Sequence, residues 1–454
     1  MPQVYPFRAA QFKGGKGDVS DLVAPPYDVL DASGKGTLLA KDPHNIVAID
    51  LPHTPAKELG PPEAYESAAK MYRNWLASGT LTRRATPAMF AYRQTFTAGG
   101  KTFQRSGMAC AVETVPFGPR EGGGILPHEE TFSGPKEDRM ALMKATRAQL
   151  SPIFGLHADE DAKATKLLQS VMASRPADLT ANMSSSLGEN IPHEIWTIED
   201  EKTIAAYQDT LRGEDVFIAD GHHRYTTGLN YLKGLEEQGK VAGDHPARRC
   251  MIVLVSMSDP GLVIWPTHRV LGGMKNYSFD SFLEHSRESI RFEPVAGDLH
   301  AIDRALQSLG GMGPMRFALY DVKSGRGGVA APASGDPLNA RFPDKPKAWR
   351  ELVVAFIQYG IVESICTPKL NAGEAVKWAF PHTIDEVLQI TRGLETGAGG
   401  GKVFGSTGAQ LAVIVRPTPL DAVKDVSRAN QLMPQKSTFF YPKIATGLFV
   451  NPLE

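Results

Sequence analysis

Six consecutive residues hold the densest chemistry in the chain: Asp220, Gly221, His222, His223, Arg224 and Tyr225, in the stretch VFIADGHHRYTTGL. An apolar run, VFIA at 216–219, leads in, and a helix-like pattern follows. A strand–turn–helix order aims the first backbone N–H groups of a helix at the turn, and those donors together with the helix dipole attract anions. Gly221 permits a positive φ or a close backbone approach. Arg224 offers a planar fork for phosphate oxygens, and the imidazoles of His222 and His223 offer donors or positive charge. Asp220, acceptor-only when ionised, can hold Mg²⁺, orient a histidine or take a proton. The expectation is a phosphate cradle in which Arg224 serves the ligand and not the core. Against this stands the ordinary reading of a polar turn with a helix-capping acid.

Other blocks carry candidate groups. LPHEE and GPKEDR concentrate His128, Glu129, Lys136, Asp138 and Arg139 within a short span. Phosphoryl transfer to a hydroxyl needs a base near the nucleophile, and Glu129 and Asp138 are the candidates. A first-turn acid such as Asp138 is equally ordinary as a partner of the helix dipole. The expectation puts His128 and Glu129 in one cleft with His223 and Arg224. PTHR places His268 and Arg269 after an apolar strand, as an anion contact or as plain surface polarity. MPQKSTFFYPK offers Lys436, Ser437, Thr438 and Lys443 between prolines, with Phe439, Phe440 and Tyr441 to pack it. Asp28 in APPYD is a weaker candidate. A zinc site from Asp220, His222 and His223, with His128 or His268, is the rival chemistry, but adjacent histidines diverge and no HExxH or Cys–His spacing is present. The glycine-rich GAGGGKVFG is not a P-loop: Thr396 stands where glycine is required and Val403 where Ser or Thr is.

The elements that must position these groups are readable in part. Residues 63–79 read as a helix with Tyr65, Ala69, Tyr72 and Leu76 on one face and Gly79 at its end. AMFAYRQTF and SGMACAVE, joined by TAGGKT, read as a hairpin. Residues 133–150 read as a helix capped by Ser133, and 45–50 as a strand. CMIVLVSM, LVIW, MRFALY and LAVIV read as strands. Residues 382–393 read as a helix with a Thr383–Glu386 capping box, and PLDAVKDVSRANQL as another. Strands and helices mix throughout, so the class is α/β or mixed α+β.

The chain has 454 residues, long for one hydrophobic core, so two domains are expected, 1–275 and 276–454. Charges balance, 49 basic against 50 acidic, which argues against a general nucleic-acid binder. Cys110, Cys250 and Cys366 are scattered, as in a reducing cytosol. No apolar run approaches the roughly 20 residues that span a bilayer. A soluble cytoplasmic protein is expected, with no membrane partner.

The DGHHR turn resembles the signature of the ParB/sulfiredoxin-like superfamily, which includes the nucleotide domain of ParB, sulfiredoxin and free serine kinases. That local resemblance implies a small αβ core, with Gly221, His222, His223 and Arg224 on nucleotide phosphates and Asp220 near metal or substrate. A wider resemblance runs through YPFRA, VAPPYDVL, the block from Leu126, ADGHHRY, DPGLVIWPTHRVL and LMPQKSTFFYPKIATGL. These six blocks are similar to the family called domain of unknown function 1015. Together the readings imply a ParB/sulfiredoxin-like core in 1–275 and a second α/β domain in 276–454 that closes a cleft. The function implied is an ATP- or ADP-using, Mg-dependent phosphotransferase on a small hydroxylated metabolite such as serine. His268, Arg269 and Lys436 would assist the nucleotide. A phosphohydrolase of a metabolite such as phosphoserine, or a ParB-like nucleotide-gated binding protein, would need much the same residues.

Overall fold

The structure, a computed structural model, describes residues 3–55, 58–130, 134–185, 188–239, 241–309, 315–394 and 401–454. The chain divides into two compact units. The first is Met1–Pro127, Thr131–Val263 and Pro442–Glu454; the second is His128–Glu130 and Ile264–Tyr441. The division thus falls after Val263, where 275 was expected, and the last segment returns to the first unit.

The described residues of the first unit build a ten-stranded mixed sheet. Its strands are β1 (Val4–Tyr5), β2 (Gly17–Asp18), β3 (Met89–Ala98), β4 (Lys101–Glu113), β5 (Ile125–Leu126), β6 (Ile153–His157), β7 (Leu179–Ser184), β8 (Asn190–Ile198), β9 (Val216–Asp220) and β10 (Arg249–Ser256). The order is β2-β7-β8-β3-β4-β10-β6-β9-β5, with β1 beside β4. The hairpin β3–β4 closes on Gly99 and Gly100, both at positive φ, the backbone that a two-residue hairpin turn demands.

The helices of this unit include α1 (Pro62–Ser78), α2 (Gly134–Thr146), α3 (Lys163–Ser174), α4 (Glu201–Thr210) and α5 (His222–Glu237). Leu168 and Met172 of α3, Ile204 and Tyr207 of α4 and Tyr225 of α5 join Met108, Cys110, Trp196, Ile218 and Ile252 in one buried cluster on a face of the sheet. Gly79 ends α1 in the left-handed conformation, as read from the sequence.

Two expected elements differ. Residues 45–50 are not a strand: Asn45 donates to the carbonyls of Asp21 and Val23 and accepts from Val47 N, and this turns Val47–Asp50 into one helical turn. Helix α2 stops at Thr146 because Arg147 takes φ 49°, and Ala148–Gln149 continues as a strand. Its expected cap, Ser133, lies outside the described residues, as do residues 395–400 of the glycine-rich stretch.

The second unit is a six-stranded antiparallel sheet of β11 (Arg269–Gly272), β12 (Ile290–Pro294), β13 (Phe317–Asp321), β14 (Gly327–Pro332), β15 (Lys377–Ala379) and β16 (Ala409–Val415), in the order β12-β14-β13-β16-β11-β15. Alternation sends Leu271, Phe317, Leu411 and Val413 to one core and Val270, Ala318, Ala412 and Ile414 to the other. The helices of the second unit include α6 (Phe279–Ser286), α7 (Leu299–Ser308), α8 (Ile384–Thr391) and α9 (Leu420–Arg428). The Thr383–Glu386 capping box of α8 is complete in both directions. On the first core packs a segment the sequence reading did not find, Phe356–Leu370, wound as a π-helix.

Candidate functional site

In the first unit, strand β9 delivers Asp220 and helix α5 starts two residues later. Strict alternation would point Asp220 to the side of Val216 and Ile218, into the apolar cluster. A bulge between Ile218 and Asp220, opposite Gly155 and Phe154, breaks that alternation and re-aims the carboxylate. Gly221 then takes φ 90°, ψ 27° as the N-cap of α5, and no side chain caps the helix. A Cβ there would meet the Arg224 guanidinium, 2.9 Å from Nε. Both the dihedral and the space therefore require glycine. His222 and His223, half-buried, occupy the first turn of a 16-residue helix, where backbone donors and dipole favour an anion.

Arg224 departs from expectation. It is buried, and its guanidinium donates to the Pro152 carbonyl and to Asp220 Oδ2. The other carboxylate oxygen receives Lys443 Nζ at 2.5 Å. Burial alone would raise the Asp220 pKa, but Lys443 first, then Arg224 and His222, hold the carboxyl well below the usual range. Burial works against the charge of Arg224, and Asp220, Asp28, Tyr27 and Asp50 outweigh it. So Arg224 is an internal strut of the turn, not a free phosphate grip. Asp220 has a cation on each oxygen, and this donor set does not fit a hard dication, which seeks several uncompensated oxygens. Asp28 is the exposed carboxylate of the group that holds Arg224 charged.

Behind Arg224 lies a cavity of about 40 Å³, lined by Tyr27, Asp50, Arg139, Ser151 and Thr227 among others. That is room for water, not for a nucleotide. Arg139 bridges Asp138 (Nε–Oδ2 2.7 Å) and Asp50 (Nη1–Oδ1 3.3 Å) and stacks over Tyr27 at 3.9 Å. Asp138 Oδ1 also accepts from Tyr65 Oη and meets His53 Nε2, each at 2.7 Å. Asp138 has no exposed surface and both its oxygens are engaged. It anchors α2 against α1 and is not placed to take a proton from a substrate.

His128, Glu129, His268, Arg269 and Lys436 fall in the second unit, whereas Asp220–Arg224 and Lys443 fall in the first. His128 is buried, with Nε2 2.8 Å from Thr438 Oγ1, and its carbonyl accepts from Met433 N at 2.8 Å. Glu129 Oε1 accepts from Lys436 N at 2.6 Å, holding Lys436 at φ 61°. His268 is buried; its Nδ1 accepts from Val415 N at 3.2 Å, and burial pulls its pKa to about 3, so it stays neutral. Arg269, buried and pulled down to about 10, donates to the carbonyls of Thr267 and Lys436. His128, Glu129 and Arg269 tie the segment around Lys436 in place, and His268 holds Val415 of β16; these contacts carry the alternative reading, structure over chemistry. Among the described residues no group of three His, Cys, Asp or Glu is placed to hold a metal ion, so the zinc rival finds no site there. No helix is long and apolar enough to cross a membrane among those residues.

Fold and turn together define a mixed α/β protein with a glycine-capped strand–turn–helix in its larger sheet. The chain belongs to the family described as "Protein of unknown function (DUF1015)", whose model matches residues 4–350. No match is found among the curated proteins. Among solved structures, the chain is similar to a free serine kinase in complex with AMP, at 12% identity and TM-score 0.32 over 74% of this chain and 95% of that one. It is similar to a conserved hypothetical protein from Pyrococcus furiosus, at 12% identity and TM-score 0.30 over 74% and 98%. It is also similar to SbnI with a C-terminal truncation from Staphylococcus aureus, at 9% identity and TM-score 0.32 over 72% and 83%. These likenesses are too distant to assign a function.

Proposed function

We propose that the turn 220–224 binds the phosphates of a nucleotide and that the protein transfers a phosphoryl group to or from a small hydroxylated metabolite. The observation that carries this reading is the glycine N-cap at φ 90°, which leaves the start of a 16-residue helix without a side-chain cap and sets two histidines in its first turn. An acidic cap would repel an anion; a glycine with histidines behind it receives one. Arg224 and Lys443 do not grip the ligand in this reading. They neutralise Asp220, so that the turn presents net positive character. Asp28, exposed and with its charge favouring that of Arg224, is the carboxylate available to accept the proton of a substrate hydroxyl. Phosphoryl transfer needs little more than positioning and charge stabilisation, which such a turn supplies. Serine as the acceptor rests on the DGHHR resemblance alone.

The test is calorimetric titration of the whole protein with ATP and ADP, each with and without Mg²⁺. The double variant His222→Ala/His223→Ala should lose about tenfold or more in affinity, the worth of a charge-assisted hydrogen bond, while circular dichroism shows it still folded. Asp28→Asn should keep binding and lose turnover, read by phosphorus NMR of the products with serine and phosphoserine. Nucleotide affinity indifferent to both histidines would sink the proposal.

A further inference from the structure

We propose that the first unit carries a second anion site, a pocket of about 420 Å³ beside α1 and the end of α2 that takes a compact small molecule bearing two or more phosphate or carboxylate groups. Tyr72, Arg73, Arg83, Lys144, Arg147 and Glu454 are among its lining. The volume is that of a small-molecule site.

The starting observation is the Tyr72 hydroxyl. The side chain is 3% exposed, and among the described residues its oxygen has no hydrogen-bond partner. Burial raises its pKa, so it stays protonated and remains a donor. A buried donor with no acceptor is costly, and native proteins rarely tolerate one without a reason. Its charged neighbours in the pocket are Arg73, Arg83, Lys144 and Arg147, which only donate, against the single acid Glu454. Arg83 Nη2 donates to the Glu454 carbonyl oxygen at 2.7 Å, and Arg147 lies 3.7 Å from Glu454 Oε1. The side chains of Arg73 and Lys144 make neither a hydrogen bond nor an ion pair among the described residues. Among the charged side chains of the pocket, four donors thus face one acid. Leu76 and Pro452 add an apolar wall for the body of such a ligand.

Compensation of a helix dipole covers only half of the charge. Lys144 and Arg147 do stand at the C-terminus of α2, where cations are favoured. Arg73 is in the interior of α1, and Arg83 ends the strand Leu81–Arg83. Neither has a helix end to serve. None of these residues belongs to the turn 220–224, so the inference stands apart from the function proposed above.

Titration calorimetry of the full chain with pyrophosphate and with citrate tests it. The double variant Arg73→Ala/Lys144→Ala removes two exposed side chains and should fold normally. It should lose about tenfold or more in affinity for the anion that binds. Tyr72→Phe should weaken the same binding, while the ligand-free protein melts at the same or a higher temperature, because an unpaired buried hydroxyl is gone. His222→Ala/His223→Ala should leave this binding intact. Preference for pyrophosphate assigns a phosphorylated ligand, and preference for citrate a polycarboxylate. Unchanged affinity in the Arg73/Lys144 variant, or no saturable binding of either anion by the native protein up to about 10 mM, overturns the proposal.

Discussion

Asp220 and Arg224, one helical turn apart, decide what kind of turn this is. Arg224→Ala removes a buried partner of Asp220 and the donor to the Pro152 carbonyl. The expected loss is about 3 kcal/mol of stability in urea unfolding, since a buried ion pair broken on one side leaves an uncompensated charge. Lys443 remains on Asp220, so the protein should still fold. Arg224→Lys should recover part of the loss, because an ammonium cannot span both acceptors as the planar fork does. Asp220 also sets an acid response. Its folded pKa lies below the unfolded value of about 3.9, so its contribution is full above that value and is lost as pH falls through the folded value. The stability gap between the native protein and Asp220→Asn should therefore be constant from pH 7 to 5 and shrink below about pH 4. A gap that widens on acidification would reverse the assignment.

Elements were legible where their signal is local. The strand 216–220, the helix starting at His222, the hairpin through Gly99 and Gly100 and the Thr383–Glu386 box all follow from residue period and turn chemistry. The charges were legible as a cluster but not as partners. Asp138 looked like a first-turn acid, yet His53 and Tyr65, which occupy it, come from far earlier in the chain. Nothing in GPKEDR names them. Lys443 was visible among the polar residues near the C-terminus, but only tertiary structure puts it on Asp220. The bulge that re-aims Asp220 leaves no mark in VFIAD. The π-helix was missed because its buried positions Phe356, Ile361, Cys366 and Leu370 recur every four to five residues, and Ile357 and Val362 stand five apart. A search at the 3.6-residue α period passes over them. Gly360 sits in that segment with its missing Cβ 2.7 Å from the Phe356 ring. Gly360→Ala should cost about 1–3 kcal/mol by overpacking. Hydrogen exchange should show the loss in the second unit, with protection of β9 and β10 unchanged.

At the scale of the whole molecule, buried neutral histidines make both units acid-sensitive. Burial holds His157 at about 4 and His193 and His268 at about 3. Each binds its proton more readily in the unfolded chain, at about 6.5. Their contribution is complete above that pH and declines as pH falls toward the folded values, at up to about 1.4 kcal/mol per pH unit for each. Urea midpoints should drop between pH 7 and 5. His193→Gln should flatten that decline for the first unit.

The segment Pro442–Glu454 belongs to the first unit although Ile264–Tyr441 separates it from the rest. Within that unit Thr446 pairs with Ala24, Val450 with Ala10, and Phe449 packs on Phe90 at 4.9 Å. A chain ending at Tyr441 should therefore show a destabilised first unit, seen as lost near-ultraviolet dichroism and faster exchange in β3 and β4. The same arrangement makes the charge balance of Asp220 a joint product of two distant stretches of sequence. Arg224 comes from the first turn of the helix that follows Asp220, but Lys443 comes from beyond the whole of Ile264–Tyr441. Closing so long a loop costs chain entropy, so the second cation should be the later of the two to reach Asp220 on folding.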